Sequence, residues 1–156
     1  MVCRCSSSIR RGARYVGAEA QGEITVAQFG DMNLKVDALA DYTDARLLDG
    51  LGPVPRIPPF RVLAGATLAG ARWDARGEVE RASSQARVTA FETETAGFTL
   101  VNAAFSFRPF ADRQDTSIVL SANNIFDVDA RRHASFLKDF APLPGRDIRV
   151  SLRFTI

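Results

Sequence analysis

The stretch Asp147-Ile148-Arg149-Val150-Ser151-Leu152-Arg153-Phe154-Thr155-Ile156 is apolar at every even position and polar at every odd one. Successive side chains of an extended chain point to opposite faces, so this pattern is a strand with one greasy and one wet side. Working back from it, the same period of two recurs. Arg72 to Glu80 sets Trp73, Ala75, Gly77 and Val79 against Arg72, Asp74, Arg76, Glu78 and Glu80. Met32 to Tyr42 sets Leu34, Val36, Ala38, Ala40 and Tyr42 against Asn33, Lys35, Asp37 and Asp41, with Leu39 as the exception. Phe60 to Gly70 carries Val62, Ala64, Ala66 and Leu68 on one side. Phe98 to Phe107 and Ser117 to Phe126 are rich in β-formers but ambiguous in register, and Ala13 to Phe29 keeps Val16, Ala18, Ala20, Ile24 and Val26 in phase. The fold predicted is all-β, with about seven antiparallel amphipathic strands in an up-and-down meander and no helix.

Composition narrows the classes of function. With 156 residues the chain is one domain or a piece of a larger one, and 46% hydrophobic residues with 11 Phe exclude a disordered tail. The 20 basic and 18 acidic residues leave a net charge of +2, so no strong field points to nucleic acid as a partner. No run approaches the roughly 18 apolar residues of a membrane helix, whereas a membrane β-barrel hides its strands within average hydropathy. At ~3.3 Å per residue and a tilt of ~40°, the last stretch crosses the ~25 Å apolar band of such a barrel. Cys3 and Cys5 cannot staple the chain, and with His133 as the single histidine they fall short of the about four ligands of a closed metal site.

The links between strands alternate in length. Phe29-Gly30-Asp31, Ala69-Gly70-Ala71 and Pro109 to Asp115 are short; Leu47 to Pro59, Ser84 to Gly97 and Asp127 to Arg146 are long. Membrane barrels sort their links in this way, short turns in the periplasm and long loops outside, so the last strand is expected to start outside and end inside. Pro53-Val54-Pro55-Arg56-Ile57-Pro58-Pro59 then falls in an outer loop, where missing amide donors cost no ladder bonds.

Several stretches together resemble the C-terminal end of a TonB-dependent outer-membrane receptor. Ala40-Asp41-Tyr42, then Arg46-Leu47 and Pro55-Arg56-Ile57-Pro58-Pro59-Phe60-Arg61, is similar to the family's aspartate-tyrosine strand and its "PRIPP-x-R" loop. Glu92-Thr93-Glu94-Thr95-Ala96-Gly97-Phe98-Thr99-Leu100-Val101-Asn102 resembles the lead into a late strand, and Ser121-Ala122-Asn123-Asn124-Ile125-Phe126-Asp127 the close of the penultimate one. Arg132 to Asp139, with Ala141-Pro142 and Pro144-Gly145-Arg146, is similar to the last outer loop, and the likeness covers residues 13–156. It implies the C-terminal part of a large transmembrane barrel of about 22 strands, whose intact parent imports a siderophore, metal complex or other nutrient by energy-coupled transport. It also implies residence in the outer membrane, contact with its lipid and lipopolysaccharide, and handling by the barrel-assembly machinery. That machinery reads an aromatic terminus in the family; here Phe154 and Ile156 are the candidate signal. The TonB complex would be met only through an N-terminal plug, which these residues do not include.

From these points the chain is expected to be a fragment, inactive alone, with residues 1–12 non-native or disordered and 13–156 belonging to the barrel. Met1 to Gly12 has no apolar run of a secretory signal. The competing reading is a self-contained small barrel, structural, adhesive or ligand-binding. Arg131, Arg132 and His133 are the candidate substrate residues of the last outer loop, able to meet an anionic substrate or lipopolysaccharide phosphate; a solvated loop is the plainer reading. Glu92 and Glu94 are expected to be solvated, the inward charges from Arg72 to Glu80 loosely ion-paired, and Trp73 and Tyr42 placed in an interfacial belt with Pro109 and Phe110 on the inner side. No nucleophile elbow, phosphate loop or metal constellation occurs, so neither enzymatic activity nor a cofactor is expected.

Overall fold

The computed structural model describes residues 12–48, 50, 52–110 and 116–154. Seven strands follow one another: β1 (Ala13–Phe29), β2 (Met32–Leu47), β3 (Arg61–Ala69), β4 (Trp73–Ala82), β5 (Phe98–Phe107), β6 (Thr116–Asn123) and β7 (Asp147–Phe154). They form one sheet in the order β1-β2-β3-β4-β5-β6-β7, and every neighbouring pair is antiparallel. The up-and-down meander of the sequence reading is therefore present. Residues 1–11 and Ile156 lie outside the described residues.

Register sorts the side chains onto two faces. Val36 opposes Ala66, Val79 opposes Val101, Phe105 opposes Leu120, and Leu120 opposes Val150, all on one side. The other side carries Asp41 opposite Arg61, Glu78 opposite Asn102, and Ser121 opposite Arg149. This settles the phase of β5 and β6: Val101, Ala103, Phe105 and Phe107 are on the apolar face with Ile118, Leu120 and Ala122. The apolar face stays open across the whole sheet, with Ile24, Val36, Phe105, Leu120 and Leu152 all exposed and Val150 at 74%. No helix among the described residues is long and apolar enough to cross a membrane.

Three local features depart from simple alternation. Pairing in β1 shifts between Thr25 and Ala27, so Val26 is the extra residue of a bulge and Ala27 and Phe29 take over the apolar face. The strand β2 runs on past Tyr42 to Leu47, beyond the end of β3. Its last turns pair with β1 on one side, while the following loop doubles back on the other, through Val54 N to Ala45 O and Leu47 N to Gly52 O, both at 3.0 Å. Finally, β6 stops at Asn123 rather than Phe126, because Asn124 takes a left-handed φ of 48° that no strand continues.

The short-turn end is compact. Gly30 bends β1 into β2 at a φ of 58°, a conformation cheap only for glycine. Arg108 closes the β3–β4 turn: its guanidinium donates to Gly70 O at 2.6 Å, to Ala71 O at 3.1 Å and to both oxygens of Asp74. Trp73 stacks on Phe105 with ring centroids 6.1 Å apart, and Phe29 and Phe154 stand exposed on the same face and at the same end. Tyr42 lies towards the opposite end, its hydroxyl accepting from Arg87 at 2.7 Å.

Candidate functional site

At the end of the sheet that carries the long links, loops 48–60, 83–97 and 124–146 fold together over the polar face. The reason is in the strands. The polar face is charged through most of its height, but at this end β4 and β5 present Ala82, Phe98 and Leu100. Ala130 of the last loop seals them, with Val128 and Leu143 packed alongside, and this is the buried apolar cluster among the described residues. Burying one such phenylalanine is worth roughly 2–3 kcal/mol, enough to hold a loop down once its backbone is satisfied.

That satisfaction comes from the very residues that carried the family resemblance. Asn102 of β5 accepts the Asn124 amide at 2.9 Å, and the Asn124 side chain donates to Val128 O and Pro144 O while accepting from Val128 N. One asparagine thus ties both ends of the last loop. Asp127 accepts the Arg146 amide at 2.7 Å, and a Cβ at Gly145 would stand 2.7 Å from that same carboxylate oxygen. Gly97 is similarly required, since a Cβ there would lie 2.8 Å from Ala82 O and Ser84 N.

The predicted residues come together here. His133, 2% exposed, is hydrogen-bonded through Nδ1 to Thr95 Oγ1 at 2.8 Å. Its Nε2 lies 3.2 Å from Glu92 Oε1, and among the described residues the buried Nε2 and Glu92 Oε2 meet no well-formed hydrogen-bond partner. Burial holds the imidazole below the usual histidine range, against the opposing pull of Glu92. Arg132 donates to both oxygens of buried Glu80 on β4, a bond that raises its own pKa, and lies 5.5 Å over the Phe98 ring. Arg131 donates to Lys138 O at 2.7 Å and pairs with Asp129 at 3.5 Å.

His133 does not sit in a solvated loop, whereas Arg131 and Arg132 stay partly exposed. The plainer sequence reading is corrected for His133, as is the expectation for Glu92, whose side chain is 7% exposed; Glu94 is exposed as expected. Glu92 Oε1 also accepts the Arg56 amide at 2.9 Å, where Arg56 takes a φ of 62°. No local signal in the sequence announces this pairing; the only hint was the shared family motif on either side. Phe154 is exposed at the end of β7 opposite Thr116, far from this group.

A cavity of about 230 Å³ opens between Pro58, Phe98, Arg61, Arg131, Arg132 and His133. Its arginines are each matched to an acid: Arg61 to Asp41 at 2.8 Å, Arg132 to Glu80, Arg131 to Asp129. The cavity is therefore near neutral with mostly apolar walls, and not an anion trap. Lower down the same face, Arg76 makes a two-pronged bond to Asp37 at 2.5 and 2.9 Å and a further one to Glu78 at 3.0 Å. Asp74, Arg76, Glu78 and Glu80 are ion-paired, as expected from the sequence, while Arg72 donates to Pro109 O at 2.9 Å. Among the described residues no group of three or more His, Cys, Asp or Glu side chains stands together to hold a metal; Cys3 and Cys5 fall outside them.

Comparison with protein-family models and with curated proteins finds no match. Solved structures do match. The copper transporter OprC superposes with a TM-score of 0.78 over 91% of this chain, at 21% identity. The likeness is one of fold. The chain spans 23% of OprC's own length, so it corresponds to less than a quarter of that protein.

Proposed function

We propose that these strands are a stretch of the wall of an outer-membrane transport barrel, the C-terminal strands of a TonB-dependent receptor. The observation that carries this reading is the apolar face. It runs over seven strands and is left uncovered by the other described elements, whereas soluble monomers rarely expose apolar patches beyond a few hundred Å². The nine residues of β3 at ~3.3 Å each, tilted by ~40°, cross the ~25 Å apolar band of an outer membrane. Aromatic residues mark its two edges, Trp73 with Phe29 and Phe154 at one and Tyr42 at the other. The long-loop end then faces outward and the short turns face the periplasm.

The sheet order begins at β1 and ends at β7 without those two pairing, which leaves two open edges. Lipid cannot satisfy unpaired amides at several kcal/mol each, so further strands complete the ring. In that ring the chain contributes wall and outer loops to a receptor importing a siderophore, metal complex or other nutrient, and it is not itself an enzyme. Its partners are outer-membrane lipid and lipopolysaccharide, the barrel-assembly machinery, which would meet Phe154, and the TonB complex through a plug on the parent. The fold shared with a copper transporter supports transport in general and no particular cargo.

Refolding the full chain in detergent tests this. The expected result is a species that becomes heat-modifiable and protease-resistant only when the complementary barrel strands are supplied. A compact, heat-modifiable monomer from the chain alone would instead establish a self-contained small barrel and overturn the proposal.

A further inference from the structure

The three long loops are joined by side chains in a pattern that assigns them unequal roles. The hydrogen bonds that tie the first and last loops run through the middle one, while the first and last touch each other where the Arg56 guanidinium lies 3.2 Å over the Phe136 ring. Loop 83–97 reaches the first through Gln85, whose side-chain amide donates to Ile57 O at 2.9 Å, and through Glu92, which accepts the Arg56 amide. It reaches the last through Thr95 on His133, and through Thr93, whose carbonyl accepts from Lys138 Nζ at 2.7 Å and whose hydroxyl bonds both Lys138 and Asp139. It is itself pinned by the paired backbone of Gln85 and Thr95 at 2.9 and 3.1 Å. Gln85, Thr95, His133 and Lys138 are all buried. Buried polar groups held in this way cannot be released singly without stranding a partner.

We propose that loop 83–97 is a clasp, and that the three long loops open or stay shut as one cap rather than as separate lids. Glu92 is its key positioning residue, because one carboxylate faces the first loop at Arg56 and the last at His133. Any movement of the outer mouth at this side of the barrel must then displace all three loops together, whatever the cargo.

The test is amide hydrogen exchange on the assembled barrel in detergent, with three groups of reporters. Val54 N, bonded to Ala45 O, reports the first loop; Leu143 N, bonded to Ala130 O at 2.7 Å, reports the last; the ladders of β3–β5 report the wall. In Glu92→Ala and in the milder Thr95→Val, exchange at both Val54 and Leu143 is expected to rise together, by about tenfold, with the wall unchanged. Glu92→Gln keeps an acceptor for the Arg56 amide and is expected to restore most of the protection at Val54. Acceleration at only one of Val54 and Leu143 would overturn the clasp, as would acceleration at neither. Loss of protection that spreads into β3–β5 would overturn it too, because the cap would then not be a unit apart from the wall. The clasp rests on the barrel reading: failure to assemble would count against that reading, whereas unequal exchange within an assembled barrel counts against the clasp alone.

Discussion

The sheet and its loop cap bury opposite things. On the wall, apolar side chains face outward and charges pair across the inner face, Arg76 with Asp37 and Asp74 with Arg108. In the cap, Phe98 and Leu100 turn inward under Ala130, and the buried residues around them are His133, Thr95, Gln85 and Lys138. The wall is thus built by a repeating pattern that asks only for the right residue type at alternate positions. The cap is built by individual pairings, each between named residues of different loops. A substitution that keeps residue type is therefore tolerated on the wall and costly in the cap, whereas one that reverses polarity is costly on the wall.

The largest effect that would break this contrast lies under the cap. Phe98→Ala removes the ring between Ala82, Leu100 and Ala130 and is expected to cost about 3–5 kcal/mol, read as earlier unfolding and fast proteolysis of loop 124–146. Next is polarity reversal on the wall. Leu120→Arg puts a charge on the apolar face and is expected to cost about 2–4 kcal/mol near mid-membrane, seen as loss of assembled barrel, while Ser121→Arg on the opposite face assembles normally. A sharper comparison uses two glycines. Gly97→Ala drives a Cβ against the backbone of Ala82 and Ser84 and is expected to cost about 1–3 kcal/mol by chemical denaturation; Gly77→Ala in β4, where nothing lies within 4 Å, should cost nothing measurable.

The smallest expected effect is one of pH. His133 binds its proton more weakly in the folded cap than in the unfolded chain, where imidazole titrates near 6.5. The unfolded state therefore takes up the proton first, so cap stability is full above that pH and declines as pH falls below it toward the lower folded value. Protease sensitivity of the loops should rise between about pH 7 and pH 5.5 in the native chain and stay flat in His133→Gln.

The same contrast explains what was legible in the sequence. Period-two alternation identified β1 to β4 and β7, because each strand's two faces meet different surroundings and the pattern is local; β5 and β6 were placed by their richness in β-formers. It was silent where the backbone departs from alternation: at the Val26 bulge, and beyond Tyr42, where β2 continues because its loop returns to pair with it. It was ambiguous for β5 and β6, where Leu100 and Val119 put apolar residues on the inner face as well. The candidate residues Arg131, Arg132 and His133 were found by composition of a loop. The burial of His133 and the bond of Arg132 to Glu80 were not, because Thr95 and Glu80 reach them from 38 and 52 positions away. Glu92 was misread for the same reason.

The central claim is that the uncovered apolar face meets lipid. It is tested most directly by single cysteines at Leu120 and Ser121, neighbours on opposite faces of β6, each labelled with an environment-sensitive fluorophore in a background where Cys3 and Cys5 are serine. In the assembled barrel in liposomes, a bilayer-soluble quencher should strongly quench the label at 120 and leave that at 121 accessible only to an aqueous quencher. Equal aqueous access at both positions, or protection of 120 from both quenchers in a sealed protein interior, would contradict the account.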